Sequence, residues 1–333
     1  MKSGFATPEG TARYADRFPG FQGFFRAAEG LTVSSLGLGT YLGNPDEATD
    51  RAYADAARLA FASGINFFDT AINYRHQRSE RALGDALRDA PRDEFVICTK
   101  AGFLTPGAVP EALQKADVAG GMHSMAPDFL VDQMARSGAN LGLDTVDVFY
   151  LHNPETQLNY VDRREFDQRL LAAFTRLEQL VSEGRIRYYG TATWDGYRKP
   201  GQLNLAAIAA LARDAGGADH HFRFVQLPFN LGMVEAYGKS SETVLEVAGR
   251  EGITVVASAA LLQGRVLGQM PDAVAELLPA LSSDAQRAIQ FTRSTPGITV
   301  ALTGMSHREH VRDNLGVAGI APATRAQYLR FYE

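Results

Sequence analysis

Four ionisable residues each follow a short apolar run rich in strand formers. Asp69 and Tyr74 lie in INFFDTAINY, Lys100 closes FVICTK, and His152 closes VDVFYLH. Strand interiors are mostly buried, so a polar side chain at a strand's last position is where a scaffold presents chemistry. If the strands are parallel, all four residues end on one rim and form a proton-transfer group. A free phenol with a pKa near ~10 is a poor acid at neutral pH, and an adjacent ammonium stabilises its anion and eases proton release. Lys100 is one of five lysines in the chain, and neither it nor Asp69 is cheap to bury singly, which points to a charge-compensated pair. His152 is placed to donate a hydrogen bond that orients a carbonyl oxygen.

The elements that must position these residues read as a repeating β-α pattern. Strand-like runs begin near Ser35, Ile65, Phe95, Val146, Ile186, Phe222, Ile253 and Ile298. Most carry few charges, as strands covered on both faces should. After the first run, Asn44 is a candidate helix cap, Pro45 suits the first helical position, and Glu47 can complete a capping box. Tyr53, Ala56, Ala57 and Ala60 share one face, and Gly64 is placed to end that helix. Segments 127–141, 165–183, 204–215, 239–250, 284–294 and 306–317 are patterned as further helices. Eight such units predict a (β/α)8 TIM barrel occupying the whole chain, 1–333, as a single domain, with an open doubly wound sheet as the competitor. Residues 1–34 precede the first strand and are expected to cover the closed end. The segment 101–127 is long for a βα loop and is expected to shape a substrate pocket at the rim.

Composition narrows the function classes. The chain is 333 residues long, 45% hydrophobic and 21% charged, with a net charge of −5 and no basic cluster, so nucleic acid and anionic membranes are poor partners. No apolar stretch approaches the roughly 18–20 residues of a membrane span, and MKSGFATPEG lacks a leader's apolar core, so a cytoplasmic location is expected. Cys98 is the only cysteine, which excludes an intrachain disulfide. Gly37, Gly39 and Gly43 have the wrong final spacing for a dinucleotide fingerprint. His307 with His310, and His220 with His221, lack a third ligand, so no metal is expected. Arg75, directly after Tyr74, reads equally as a substrate or phosphate contact and as a surface ion pair.

Several motifs together carry a resemblance. GLGT at 37–40, DTAINY at 69–74, SERALGDAL at 79–87, TK at 99–100 and LHNP at 151–154 come first. LEQLVSEGRIRYYG at 177–190, VQLPFN at 225–230 and TGMSHREHVRDNLG at 303–316 follow. In this order, and over nearly the whole chain after residue 31, the sequence resembles the aldo-keto reductase family. The resemblance implies a barrel whose bottom is closed by an N-terminal β-hairpin and whose C-terminal rim carries long loops. It implies a catalytic tetrad of Asp69, Tyr74, Lys100 and His152. Hydride would pass between a reduced nicotinamide and an aldehyde, ketone or sugar-like carbonyl while Tyr74 acts as general acid/base. The cofactor carries the hydride, and the protein supplies placement and electrostatics.

The resemblance also implies a cofactor site, with departures from the family pattern. Gly39, Thr40 and Asp69 stand at its nicotinamide end. The usual Gly-x-Ser-Asn is replaced by Gly190, Thr191, Ala192 and Thr193, which leaves the Thr193 hydroxyl beside Gln226 as carboxamide contacts. Ser258 stands where an aromatic residue often stacks, with Trp194 or Phe229 as substitutes. Leu261, Gln263, Gly264 and Arg265 are expected along the pyrophosphate. Gly304, Ser306 and Asn314 are expected at the adenosine, where helix amides can bind phosphate oxygens. No basic residue occupies the usual 2′-phosphate positions, leaving His307, Arg308 or His310 to substitute. NADP is the expected cofactor, with NAD as its rival. His123, Met125 and Trp194 are expected to join Tyr74 and His152 around the substrate, a small carbonyl or alcohol. The altered nicotinamide site leaves two alternatives open: a cofactor-retaining, redox-neutral isomerase or lyase, and a nucleotide-sensing partner protein. The oligomeric state is not legible.

Overall fold

The computed structural model describes residues 1–238 and 242–332. Its N-terminal segment opens with helix α1 (Pro8–Ala15), whose Thr7 cap accepts from the Gly10 amide. Strands β1 (Phe25–Ala28) and β2 (Leu31–Ser34) then pair antiparallel. Their connection, Glu29 and Gly30, has two positive φ angles (50° and 78°), the backbone that a tight hairpin of twisted strands favours.

The repeating part follows as β3 (Leu36–Gly39), α2 (Glu47–Ala62), β4 (Phe67–Asp69), α3 (Arg78–Ala86), β5 (Val96–Ala101) and α4 (Pro127–Leu141). It continues as β6 (Val146–His152), α5 (Arg163–Ser182), β7 (Ile186–Ala192), α6 (Leu205–Gly216), β8 (Phe222–Pro228) and α7 (Val244–Arg250). The last elements are β9 (Thr254–Ser258), α8 (Asp272–Leu277), α9 (Asp284–Ser294), β10 (Ile298–Gly304), α10 (Arg308–Asn314) and α11 (Arg325–Leu329). Strands β3 to β10 close into a parallel barrel in chain order, with β10 pairing back onto β3. The barrel, not the open sheet, is the fold.

Two cores hold it together. Outward strand residues such as Phe68, Ile97 and Phe149 meet the helices in one buried layer. Inward residues, including Phe67, Val96, Cys98, Val148 and Phe224, fill the barrel and meet Ala28, Leu31 and Val33 of the hairpin. The hairpin therefore plugs the end opposite the strand C-termini, as expected, and Cys98 is core.

Three local expectations need correction. Helix α2 is capped by Asp46, whose carboxylate accepts from the Thr49 amide at 2.8 Å. Asn44 instead offers its carbonyl to Arg75, and Pro45 precedes the cap. Helices α1, α3, α8 and α11 were not foreseen. The inner face of α3 begins with Ser79 and Glu80, whose polar groups are satisfied by Thr40, Thr99 and Asn140, so its apolar period is too short to read. The helix expected over 239–250 is Val244–Arg250, opened by a Thr243–Glu246 capping box, and positions 239–241 lie outside the described residues. The helix expected over 306–317 is Arg308–Asn314, followed by a tighter turn over Leu315–Gly319. No helix among the described residues is long and apolar enough to cross a membrane.

Candidate active site

Strand pleating explains why the polar residues converge. Successive side chains alternate between faces, so Asp69 follows Phe67 inward, Lys100 follows Val96 and Cys98, and His152 follows Val148 and Tyr150. Gln226 follows Phe224 in the same way. Each apolar stripe fills the barrel, and each polar residue tops its stripe at the C-terminal rim, where barrel enzymes keep their chemistry.

The Lys100 ammonium donates to Asp69 Oδ1 at 2.5 Å, to the Thr70 carbonyl at 2.8 Å and to the Tyr74 hydroxyl at 3.4 Å. Asp69 Oδ2 accepts from the Gln226 amide at 2.8 Å. Asn73 Oδ1 faces His152 Nδ1 at 3.2 Å. The Tyr74 ring stands edge-on to His152 at 5.7 Å and to Tyr41 at 5.1 Å. All four members of the tetrad are thus brought together.

The electrostatics refine the expected acid chemistry. Burial pushes the Tyr74 phenol up, and the Lys100 ammonium pulls against it without prevailing, so the proton stays on Tyr74 at neutral pH. Burial alone would lower the Lys100 pKa, but Asp69 and Tyr74 hold it above its ordinary value. Lys100 therefore remains an ammonium, which reduces the cost of proton loss from Tyr74. Burial, together with the Lys100 charge, keeps the His152 imidazole well below its ordinary pKa and therefore neutral.

Loop contacts fix the surroundings. Arg75, His76 and Gln77 all take positive φ (51°, 55° and 70°), a left-handed turn directly after Tyr74. Arg75 points away from the cleft, stacks on Tyr53, and binds the Asn44 and Asp46 carbonyls and the Asp50 carboxylate. It forms an ion pair, but a buried one rather than the expected surface pair, and it ties the Tyr74 turn to the loop that carries Tyr41. Beyond β7, Glu155 Oε1 accepts from the amides of Trp194, Asp195 and Gly196, each at 3.1 Å.

A cleft of about 900 Å³ runs from this cluster across the rim. Asp69, Tyr74, His152 and Trp194 line it, as do Gly39, Thr40, Thr193, Gln226 and Ser258. Leu261, Gln263, Gly264, Gly304, Ser306, His310 and Asn314 line it as well. Arg265 is exposed and does not line it. His123 and Met125, expected at the substrate, are buried outside the cleft wall, because the 101–126 loop folds them inward beneath Phe103 and the end of β6. Phe229 stacks on Phe291 in the core at 6.0 Å rather than facing the cleft.

Sequence reasoning missed Tyr41, Asn73, Phe103, Asn153 and the acidic pair Asp284 and Asp313, all of which line the cleft. Tyr41, Phe103 and Asn153 lie within three residues of a strand end already singled out, and that adjacency was the available signal. The cleft fits a dinucleotide in one testable respect. Thr193 and Thr303 line it, and the hydroxyl of each is buried with no partner among the described residues, a deficit that a polar ligand group could relieve only after a side-chain turn toward the cleft. No group of three or more His, Cys, Asp or Glu side chains among the described residues is arranged to hold a metal.

Comparison with known proteins agrees with this fold. The model of the Aldo/keto reductase family matches residues 35–275. D-threo-aldose 1-dehydrogenase from a Pseudomonas species is 36% identical over 181 residues, 49% of this chain and 51% of that protein, so the match spans about half the relative's length. A putative voltage-gated potassium channel subunit beta from Schizosaccharomyces pombe is 26% identical over 87% of this chain and 86% of its own. Among solved structures, an aldo/keto reductase from Klebsiella pneumoniae in complex with NADP and acetate superposes with a TM-score of 0.68. It is 21% identical, covering 93% of this chain and 95% of that one.

Proposed function

The chain belongs to the aldo/keto reductase family, and from that membership and the rim geometry we propose that it is an NADP-dependent oxidoreductase of a small aldehyde, ketone or sugar-like carbonyl. The carrying observation is the Asp69–Lys100–Tyr74 chain of contacts opening onto a cleft beside a neutral His152. When bound, the cofactor supplies or accepts the hydride. Thr193 and Gln226 would hold its carboxamide, Leu261, Gln263 and Gly264 its pyrophosphate, and Gly304, Ser306, His310 and Asn314 its adenosine end. Tyr74 delivers a proton to the carbonyl oxygen in reduction and takes it back in oxidation. Lys100, kept charged by Asp69, stabilises the phenolate that remains. His152, neutral, directs the same oxygen by donating from Nε2, which leaves Nδ1 an acceptor and requires the Asn73 amide to turn its NH2 toward it.

NADP is the first choice because a solved relative of the same fold holds it. Asp284 and Asp313 in the cleft, with no lysine or arginine among its described lining residues, favour NAD as the second. The testing experiment is calorimetric and fluorescence titration of nucleotide-stripped protein with NADPH and NADH, followed by a carbonyl screen with the tighter one. Binding followed by turnover of a carbonyl sustains the proposal, and a folded protein that binds neither nucleotide ends it. Similarity to the channel subunit over most of both chains supports another reading, a nucleotide-sensing partner protein. Tight nucleotide binding with negligible turnover across the screen would select it.

A further inference from the structure

His123 is fully buried in the long β5–α4 loop and belongs to none of the roles assigned above. Its Nε2 lies 2.8 Å from the backbone carbonyl of His152, and its Nδ1 lies 3.2 Å from the Gln157 side-chain amide nitrogen. The other end of that amide, Gln157 Oε1, accepts from Arg169 at 3.0 Å. Arginine can only donate, which fixes the direction of every link. The Gln157 oxygen faces Arg169, its NH2 donates to His123 Nδ1, and the single His123 proton is left on Nε2 to donate to the His152 carbonyl. The opposite tautomer would set a lone pair against that oxygen.

Three further observations suit this relay. A Cβ on Gly102 would lie 2.5 Å from the His152 oxygen and 2.6 Å from His123 Nε2, so glycine there is what lets the contact form. The Phe103 ring stands edge-on to both histidines, at 5.2 Å and 5.3 Å. Arg169 also donates to the Ala116 carbonyl, which clamps the middle of the long loop to α5. The loop is thereby held at two points along its length.

Building on the oxidoreductase reading, we propose that His123 is a positioning residue: its Nε2–H, oriented by Gln157 and Arg169, holds the last peptide of β6 and so sets where the His152 ring meets the substrate oxygen. His123 touches neither substrate nor cofactor. Its low pKa, pushed down to about 4 by burial, keeps it a one-proton donor across the neutral range.

The test compares His123→Phe, His123→Gln and the peripheral Arg169→Met with the full-length wild type. Misplacing a catalytic group slightly costs rate, so His123→Phe should lower kcat between about tenfold and a hundredfold, while His123→Gln, which keeps a donor, recovers much of it. Substrate KM and nucleotide Kd should stay within about twofold, which separates placement from binding. Arg169→Met, at a partly buried side chain further along the relay from His152, should lower kcat less and in the same direction. Nitrogen-15 spectra of labelled histidines should show His123 as the Nε2–H tautomer, and the His152 ring signals should move in His123→Phe and return in His123→Gln. An Nδ1–H tautomer, unmoved His152 signals, or a His123→Phe kcat equal to wild type each overturns the proposal. So does a kcat loss matched by equal losses of nucleotide affinity and thermal stability that His123→Gln does not reverse. If the wild type turns over no carbonyl, the oxidoreductase reading falls, and the imidazole spectra alone still decide whether His123 positions His152.

Discussion

The Gln226 amide donates to Oδ2 of Asp69 at 2.8 Å across the mouth of the barrel, between β8 and β4, which are not neighbours in the sheet. With Lys100 on Oδ1, both Asp69 oxygens are used, and the carboxylate is braced from two sides of the rim. Asp69→Asn would leave the buried Lys100 ammonium without its counter-charge. Removing one member of such a pair should cost about 3–5 kcal/mol of stability. Denaturant unfolding should show a lower midpoint with an unchanged slope, and an unchanged midpoint would contradict the pairing.

Tyr74→Phe removes the hydroxyl, and with it both the transferable proton and the acceptor of the long Lys100 contact. Turnover of any carbonyl that the wild type accepts should fall on the order of 10²–10⁴-fold, the span of general acid catalysis. Nucleotide affinity, measured by the same titration as for wild type, should be preserved. Loss of both together would place Tyr74 in binding rather than proton transfer.

Acid sensitivity follows from the buried histidines. Folding lowers the His123 pKa from 6.5 to about 4, so on acidification the unfolded chain takes the proton first. Its contribution, on the order of 3 kcal/mol, is complete above pH 6.5 and is lost as the pH falls toward about 4. His152 shifts in the same direction and adds to the slope. Stability measured from pH 7 to 4 should decline steeply in the wild type and less steeply in His123→Phe; parallel slopes would contradict this.

The left-handed run after Tyr74 stores strain at an exposed side chain. His76 has φ 55° and lies at the surface. Left-handed backbone costs an ordinary residue about 1–2 kcal/mol, and glycine gives back part of that in chain entropy, so His76→Gly should stabilise by roughly 0.5–1 kcal/mol. A lower unfolding midpoint in the variant would show that the side chain, not the backbone, matters there.

Glu155 holds the Trp194 segment with one oxygen, while its second oxygen is buried without a partner and burial pushes its carboxyl up. Glu155→Gln keeps the accepting oxygen and should change stability by less than about 1 kcal/mol. Glu155→Ala strands three amides and should cost about 2–3 kcal/mol while raising substrate KM. Equal losses in the two variants, by unfolding and kinetics, would count against this anchoring.

Residue type and spacing gave eight βα units, a barrel or an open sheet, and a group of polar residues at strand ends; the family resemblance favoured the barrel and named the group as a tetrad. Strand period two and burial on both faces force a polar residue at a strand end toward the rim, and Asp69, Lys100 and His152 obey that rule. Tyr74 came from the same local reasoning, because it lies five residues beyond Asp69 in one short turn. The path of a long loop and the direction of a side-chain hydrogen bond obey no such period. His123 is bonded to an oxygen 29 positions away and Gln226 to one 157 positions away, and Arg75 turned from the cleft to grip residues 25 to 31 positions earlier. Such partners are chosen by which groups the closed barrel brings within about 3 Å and leaves otherwise unpaired. The sequence alone determined which residues reach the rim; only the tertiary structure decided which of them face the cleft and which hold the others still.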